Sequence, residues 1–241
     1  QYYQPTVKSS TFASWENLKA RILQNFRSDI LVSKITNKYL TNTLEAMIYQ
    51  RGYNNAYVGL IKCKINQLMR YAYRHDYIAA PIGQLEINWK RDNSAKNIED
   101  KYLDDDEVKQ VLEAVRAINP VYADVLMWQY LTGMRIGEVL ALQVKKVFQE
   151  TGKWFVKINC TLEYSKKRKS EFMISSTPKT QSSNRTILLP DKAVMIYQQY
   201  CLDKQPDDLL FSVKTKTGVF LHPFSIDNQL RRVQKSLDLA K

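Results

Sequence analysis

Cysteine and histidine are scarce in this 241-residue sequence, which contains three of the former and two of the latter. An odd number of cysteines without a C-x-x-C pair argues against a disulfide framework or a zinc site. The two histidines also have no nearby group of metal-binding residues. We therefore expect reduced thiols and no metal. The five side chains stand singly along the chain, at Cys63, His75, Cys160, Cys201 and His222.

Long apolar runs are missing too. No stretch approaches the roughly 18 apolar residues of a membrane span, and the polar start, QYYQPTVKSS, lacks the pattern of a signal peptide. Because 44% of the residues are apolar and 11% aromatic, a globular chain is expected rather than a disordered one. The first residue is Gln and not Met, so we expect a piece of a longer protein.

Acidic residues are in the minority: 24 Asp and Glu stand against 36 Lys and Arg, for a net charge of +12. Such an excess indicates a polyanionic partner, either nucleic acid or an anionic membrane surface. The sequence contains no basic amphipathic segment of the kind that anchors proteins to membranes, which favours nucleic acid. The alternative is a soluble protein that is basic without a specific partner.

Residues 1–92 have the apolar spacing of helices and carry 13 basic and 6 acidic residues, a net of +7. We predict helices over 11–27, over 36–52 and from Asn54 or Asn55 to the region of Ile78. The third helix has a predicted core face of Val58, Ile61, Ile65, Leu68, Met69 and Ala72. A second face repeats every four residues and forms what we call the polar row: Lys62, Asn66, Arg70 and Arg74. We expect this row to contact DNA; the alternative is an ordinary solvated helix face.

A polar, aperiodic stretch, residues 93–103, predicts a linker to a second domain over 104–241, which adds a net +5. There, Asp104 and Glu107 have capping-box spacing, and a nearly all-apolar helix follows Pro120. Alternating bulky residues predict strands over 153–164, 171–176 and 185–190, followed by two helices. Ser225 is the expected cap of the last one. The predicted fold class is mainly α with a small antiparallel β-sheet (α+β).

The segment LTGMRIGEVLALQ, residues 131–143, has the apolar pattern of a buried helix but carries Arg135 near its start. A cation is disfavoured at this end of a helix by several tenths of a kcal/mol. An arginine there could instead grip a phosphate through its planar fork. The alternative is a surface ion pair between Arg135 and Glu138.

A second motif, PKTQSSNRTILLP, places Lys179 at a predicted β-turn between two strands. Together with TGMRIGE, in this order, it resembles the tyrosine recombinase (phage integrase) family, and in particular the integrases of phages and conjugative elements. The resemblance covers nearly the whole chain. It implies a helical core-binding domain over 1–92 and, from 104 on, a catalytic domain that lacks its C-terminal part.

The resemblance also implies roles for individual residues. Arg135 matches the first of two arginines that grip the scissile phosphate, and Glu138 matches its acidic support. Lys179 matches the hairpin lysine that protonates the leaving 5′ oxygen, and Thr180 and Arg185 are expected to contact DNA nearby. Cations of this kind stabilise a phosphodiester under attack without a metal or another cofactor.

The family's other catalytic groups, a His-x-x-Arg box and a nucleophilic Tyr after it, do not occur in this sequence. His222 is followed by Pro, Phe and Ser, and we expect it in a loop or at the start of a helix. Tyr197 and Tyr200 lie on a helix that the family uses for packing. We therefore expect a C-terminally truncated recombinase that binds DNA but does not cut it.

For the parent protein, the resemblance implies site-specific integration or excision of a mobile element through a 3′-phosphotyrosine, by a tetramer on double-stranded DNA. It also implies a cytoplasmic, nucleoid-associated protein of bacterial or phage origin. One alternative is a DNA-binding regulator that never had a nucleophile; whether the gene continues past Lys241 into the missing box separates the two. A metal-dependent nuclease would have only the DDD at 104–106 as its metal site.

Overall fold

The computed structural model of the chain describes residues 7, 9–91, 102–164, 171–176, 184–213 and 218–239. The chain divides into two compact units, Gln1–Ala95 and Lys96–Lys241. In the described parts of both units, no helix has the length and apolar character needed to cross a membrane. The architecture is helical with small antiparallel sheets, which confirms the predicted fold class.

The described part of the first unit contains three α-helices, α1 (Ser9–Asn25), α2 (Asn37–Tyr49) and α3 (Asn55–Arg74). The side chain of Thr36 caps α2 by accepting the N–H of Tyr39, and Asn54 caps α3 by accepting the N–H of Tyr57. Each cap satisfies one backbone donor that the first turn leaves free. The core of this unit forms between α2 and α3 and comprises Leu40, Leu44, Met47, Ile48, Val58, Ile61, Ile65, Met69, Ala72, Ile78 and Leu85.

Five of the six residues predicted for the core face of α3 are buried, but Leu68 is 40% exposed. Leu68 directly precedes Met69, and neighbouring residues on a helix point about 100° apart. Met69 lies on the buried stripe with Ile65, which leaves Leu68 at its edge. The prediction for Leu68 is therefore wrong.

The second unit begins with α4 (Asp105–Ile118) and α5 (Pro120–Thr132). Asp104 and Glu107 form the predicted capping box, with 2.9 Å hydrogen bonds in both directions. Gly133 ends α5 in the left-handed conformation, with φ +63°, which glycine adopts without strain. Two further helices, α7 (Asp191–Cys201) and α8 (Pro223–Ser236), follow the strands.

The cap predicted at Ser225 is wrong, because α8 begins earlier. Its N-cap is His222, whose Nδ1 accepts the N–H of Phe224 at 3.2 Å. Pro223 occupies the first helical position, where a backbone N–H would have no acceptor within the helix, so the missing N–H of proline costs no hydrogen bond. The expectation that His222 lies in a loop or at the start of a helix is confirmed.

In the described residues, five strands form two antiparallel sheets. One sheet contains β1 (Val147–Glu150), β2 (Lys153–Ile158) and β5 (Arg185–Leu188), and the other contains β3 (Thr161–Glu163) and β4 (Met173–Ser175). The sequence pattern did not predict β1, and the single strand predicted over 153–164 is two strands, β2 and β3. β1 and β2 form a hairpin across Thr151 and Gly152, both with positive φ, as a two-residue turn of this type requires.

The last two predicted strands were expected to flank a single hairpin, and this pairing is wrong. β5 pairs with β2, and β4 pairs with β3. The segment between β4 and β5, which includes Lys179 and Thr180, lies outside the described residues.

Candidate functional site

A short helix, α6 (Ile136–Leu140), begins three residues after Gly133, and Arg135 is its N-cap residue. Two buried residues, Trp128 and Met134, hold the turn between α5 and α6, since the indole N–H of Trp128 lies 3.3 Å from the Met134 sulfur. The hydroxyl of Thr132 donates to the carbonyl of Trp128 at 2.7 Å. With its backbone held in this way, Arg135 turns its side chain outward.

The packing of α6 against β3 is close. A Cβ atom added at Gly137 would lie 2.7 Å from the hydroxyl oxygen of Thr161. This distance is shorter than any normal contact between carbon and oxygen atoms, so a larger residue at position 137 would force the Thr161 side chain or α6 to move. The contact positions α6, and with it Arg135 and Glu138, against the sheet.

Glu138 is the centre of the site. Its side chain is only 5% exposed and accepts four hydrogen bonds, two on each carboxylate oxygen. One oxygen accepts from a terminal nitrogen of Arg135 at 2.9 Å and from one of Arg185 at 3.2 Å. The other accepts from the backbone N–H of Arg135 at 2.9 Å and from the second terminal nitrogen of Arg185 at 2.8 Å. The acceptor capacity of the carboxylate is thereby filled.

These contacts keep the buried carboxyl ionised. Burial alone would raise the pKa of Glu138, but the hydrogen bonds from Arg185 and Arg135 outweigh it, so the pKa lies below its usual value. One negative charge therefore faces two positive charges, and the three side chains together carry a net charge of +1. A phosphate is the kind of anion that this surplus could attract.

Arg135 is the exposed member of the group. Its side chain is 69% exposed, against 30% for Arg185. Among the described residues, only one of its guanidinium nitrogens has a partner, the Glu138 oxygen. The ion pair proposed as the alternative to phosphate binding is present, but it leaves the other guanidinium donors facing outward. Because α6 has only five residues, the capacity for anion binding resides in the guanidinium and not in the helix end.

The structure thus brings Arg185 together with Arg135 and Glu138. Arg135 and Glu138 were expected to be partners, whereas Arg185 was expected to contact DNA. Its ion pair with Glu138 was not predicted, since the two residues are 47 positions apart. The remaining predicted residues of this site, Lys179 and Thr180, fall outside the described part of the chain.

The polar row lies on the outer side of α3. Arg70 and Arg74 are exposed, while Lys62 and Asn66 are partly buried. The ammonium of Lys62 lies 5.7 Å from the centre of the Trp89 ring, a cation–π distance. A depression of about 380 Å³ is lined by Gln67, Arg70, Tyr71, Arg74 and His75. Cations and aromatic rings thus lie next to one another at the polar row.

The two tyrosines of α7 have packing roles, as expected. The hydroxyl of Tyr200 donates to the buried carboxylate of Asp124 at 2.8 Å, and Arg116 binds the other oxygen of that carboxylate. Burial and this hydrogen bond raise the pKa of Tyr200, which disfavours the phenolate needed for nucleophilic attack. Tyr197 packs on Trp154, with ring centres 5.5 Å apart.

The DDD sequence at 104–106 is explained by helix capping, because Asp104 is the N-cap of α4 and the other two acids lie in its first turn. Across the part of the chain that the structure describes, no three His, Cys, Asp or Glu side chains are grouped so that they could hold a metal ion.

The sequence is similar to those of known integrases. Residues 101–239 match the phage integrase family. The chain is 25% identical over 207 residues to a probable integrase of prophage ps2 of Lactococcus lactis subsp. lactis (strain IL1403), a match that covers 82% of the chain and 51% of that protein. It is 26% identical to the integrase of Staphylococcus phage L54a, over 98% of the chain and 73% of the phage protein.

Solved structures show the same fold. The Tn1549 transposon integrase in complex with transposon right end DNA superposes with a TM-score of 0.76 at 15% identity, over 100% of the chain and 76% of the transposon protein. The chain therefore spans about half to three quarters of the length of these proteins. Since the family match covers more than half of the chain, the chain belongs to the phage integrase family of tyrosine recombinases.

Proposed function

We propose that this chain binds double-stranded DNA at a specific recombination site and that Arg135 holds the phosphate at which the strand is to be cut. It would do so as part of a tyrosine recombinase that integrates or excises a mobile element. The observation that carries the proposal is the exposed guanidinium of Arg135 on a buried, fully hydrogen-bonded carboxylate.

This arrangement suits the chemistry of phosphoryl transfer. Negative charge gathers on the non-bridging oxygens when a phosphodiester is attacked, and fixed cations stabilise it most when they need not move. Glu138 limits the movement of Arg135 by holding both its backbone N–H and one guanidinium nitrogen. Two outward guanidinium nitrogens can then face two phosphate oxygens.

In the complete recombinase, a tyrosine would attack this phosphate and form a 3′-phosphotyrosine, and Lys179 would protonate the leaving 5′ oxygen. The covalent intermediate would conserve the energy of the phosphodiester bond, so that no nucleotide or metal cofactor is required. The family resemblance supports these roles, and also a tetramer on two duplexes and a place with the nucleoid in a bacterial cytoplasm.

The polar row supports the DNA-binding part of the proposal. Lys62, Arg70 and Arg74 are three of the 13 basic residues in 1–92, and the neighbouring rings of Tyr71 and Trp89 are 54% and 42% exposed. Cations supply salt-dependent contacts with phosphates. We propose that this face of α3 lies along the duplex.

The proposal is tested by a binding measurement with a matched control. A duplex of about four helical turns is first selected by the wild-type chain from a random-sequence pool; we call it the selected duplex. Replacing Arg135 by Ala should weaken binding to it about tenfold, because one charged phosphate contact is lost. The control is Arg231→Ala, since Arg231 is exposed and also pairs with a carboxylate of its own helix, that of Asp227, at 2.9 Å.

Two outcomes would contradict the proposal. If no duplex is enriched over the starting pool, the chain has no specific site. If Arg135→Ala and Arg231→Ala bind the selected duplex equally well, Arg135 makes no phosphate contact of its own, and its ion pair with Glu138 is only structural.

A further inference from the structure

A carboxylate beside a phosphate-binding arginine has two opposite effects: it holds the guanidinium in place, but it also offsets the positive charge. Glu138 lies 2.9 Å from the guanidinium of Arg135, so an isolated pair of these two would be neutral. A second cation is therefore needed if Arg135 is to attract an anion, and the structure provides one in Arg185.

The two arginines bind Glu138 in different ways. Arg185 reaches across from β5 and places its two terminal nitrogens on the two carboxylate oxygens, at 3.2 and 2.8 Å. Arg135 uses one terminal nitrogen and its backbone N–H. The bidentate contact of Arg185 is the geometry of a strong arginine–carboxylate pair, and Arg185 is the less exposed of the two arginines.

We infer that Arg185 is a positioning residue for the phosphate contact of Arg135: it neutralises Glu138, so that Glu138 fixes the direction of Arg135 without offsetting its charge. The inference rests on the proposed function, because it gives Arg185 a role in presenting Arg135 to DNA. It also replaces the expectation that Arg185 contacts DNA itself, since both of its terminal nitrogens are directed to Glu138.

A double-mutant cycle distinguishes the two roles. We would measure the dissociation constant of the selected duplex, by fluorescence anisotropy at one salt concentration, for the wild type, Arg135→Ala, Arg185→Gln and the double variant. A residue that acts through Arg135 has no effect once Arg135 is gone. Arg185→Gln should therefore weaken binding about tenfold in the wild-type background but less than about twofold in the Arg135→Ala background.

Equal factors in the two backgrounds would overturn the inference, because they would mean that Arg185 contacts the duplex independently. If Arg135→Ala itself leaves binding unchanged, the proposed function fails and the inference fails with it. If Arg135→Ala weakens binding but the cycle is additive, only the inference fails.

A conservative variant separates positioning from a general effect on folding. Arg185→Lys keeps the positive charge next to Glu138 but loses the bidentate contact, and Arg185→Gln loses both. Both variants should therefore lower the melting temperature. Affinity should nevertheless return to within about threefold of the wild type in Arg185→Lys, since Glu138 remains neutralised. An affinity loss that follows the melting temperature in both variants would assign Arg185 a structural role only.

A second cycle covers the case in which Arg185→Gln alone does not fold. The pair Glu138→Gln and Arg185→Gln removes one charge of each sign and leaves no buried charge without a partner. In the Glu138→Gln background, Arg185→Gln should change affinity less than about twofold. A loss of about tenfold there would overturn the inference.

Discussion

Replacing Glu138 by Gln should destabilise the second unit by about 2 kcal/mol at neutral pH. Removing one partner of a fully buried ion pair costs about 3–5 kcal/mol. The guanidinium of Arg135 is 69% exposed and regains water when its partner is lost, so its share is reduced to the small value of a surface pair. Most of the remaining loss comes from Arg185, which is 30% exposed and would face an amide instead of a carboxylate.

The loss should depend on pH in a defined direction. The folded-state pKa of Glu138 is lowered, so its contribution is present above the unfolded-state pKa, about 4.3. It is lost as the pH falls through the folded-state pKa. The difference between wild type and Glu138→Gln should therefore be constant from about pH 6 to 8 and become small in acid, where the wild-type carboxyl is also neutral.

Urea unfolding followed by tryptophan fluorescence can measure this loss. The chain has four tryptophans, and changing Trp15 and Trp89 to Phe leaves Trp128 and Trp154 to report on the second unit. Glu113→Gln serves as the control, because Glu113 is exposed on α4 and its replacement should change stability by less than about 0.5 kcal/mol. A Glu138→Gln midpoint equal to that of the wild type at pH 7, or a loss of the same size in acid, would refute the reasoning.

Three further predictions concern the frame of the site and the polar row. Gly137→Ala should lower the free energy of unfolding by about 1–2 kcal/mol in urea melts, because overpacking exceeds the gain in helix propensity. Adding Thr161→Ala should restore part of this loss, and a double variant no more stable than Gly137→Ala would show that the contact is unimportant. Tyr200→Phe should cost about 1 kcal/mol for a lost hydrogen bond to a buried carboxylate, whereas the exposed Tyr130→Phe should leave the midpoint unchanged. Replacing the three cations of the polar row by Ala should reduce the slope of log K against log salt by about 2–3. Lys64→Ala should not change it, because Lys64 lies on a different face of α3 from the polar row.

Features that depend on neighbouring residues in the sequence could be predicted. The capping box of Asp104 and Glu107, the cap at Asn54 and the break at Gly133 each follow from a few adjacent side chains. The pairing of Arg135 with Glu138 belongs to the same class, because three residues along a helix turn bring the side chains together.

Features that depend on distant residues could not be predicted. The partner of β4 is β3 and that of β5 is β2, and a strand pattern does not specify which of several strands is its neighbour. For the same reason, nothing in the sequence around Arg185 indicates a carboxylate 47 positions earlier. The sequence shows a glycine at position 137, but the reason for a small residue there, its close approach to Thr161 of β3, can be seen only in the folded structure.

The most direct test of the account identifies the phosphate that Arg135 contacts. Neutral methylphosphonates would be placed one at a time along each strand of the selected duplex, and binding measured for the wild type and Arg135→Ala. We predict that the wild type loses affinity at a small set of positions and that Arg135→Ala becomes insensitive at one of them, keeping its sensitivity elsewhere. Identical profiles for the two proteins would contradict the claim that Arg135 holds a DNA phosphate.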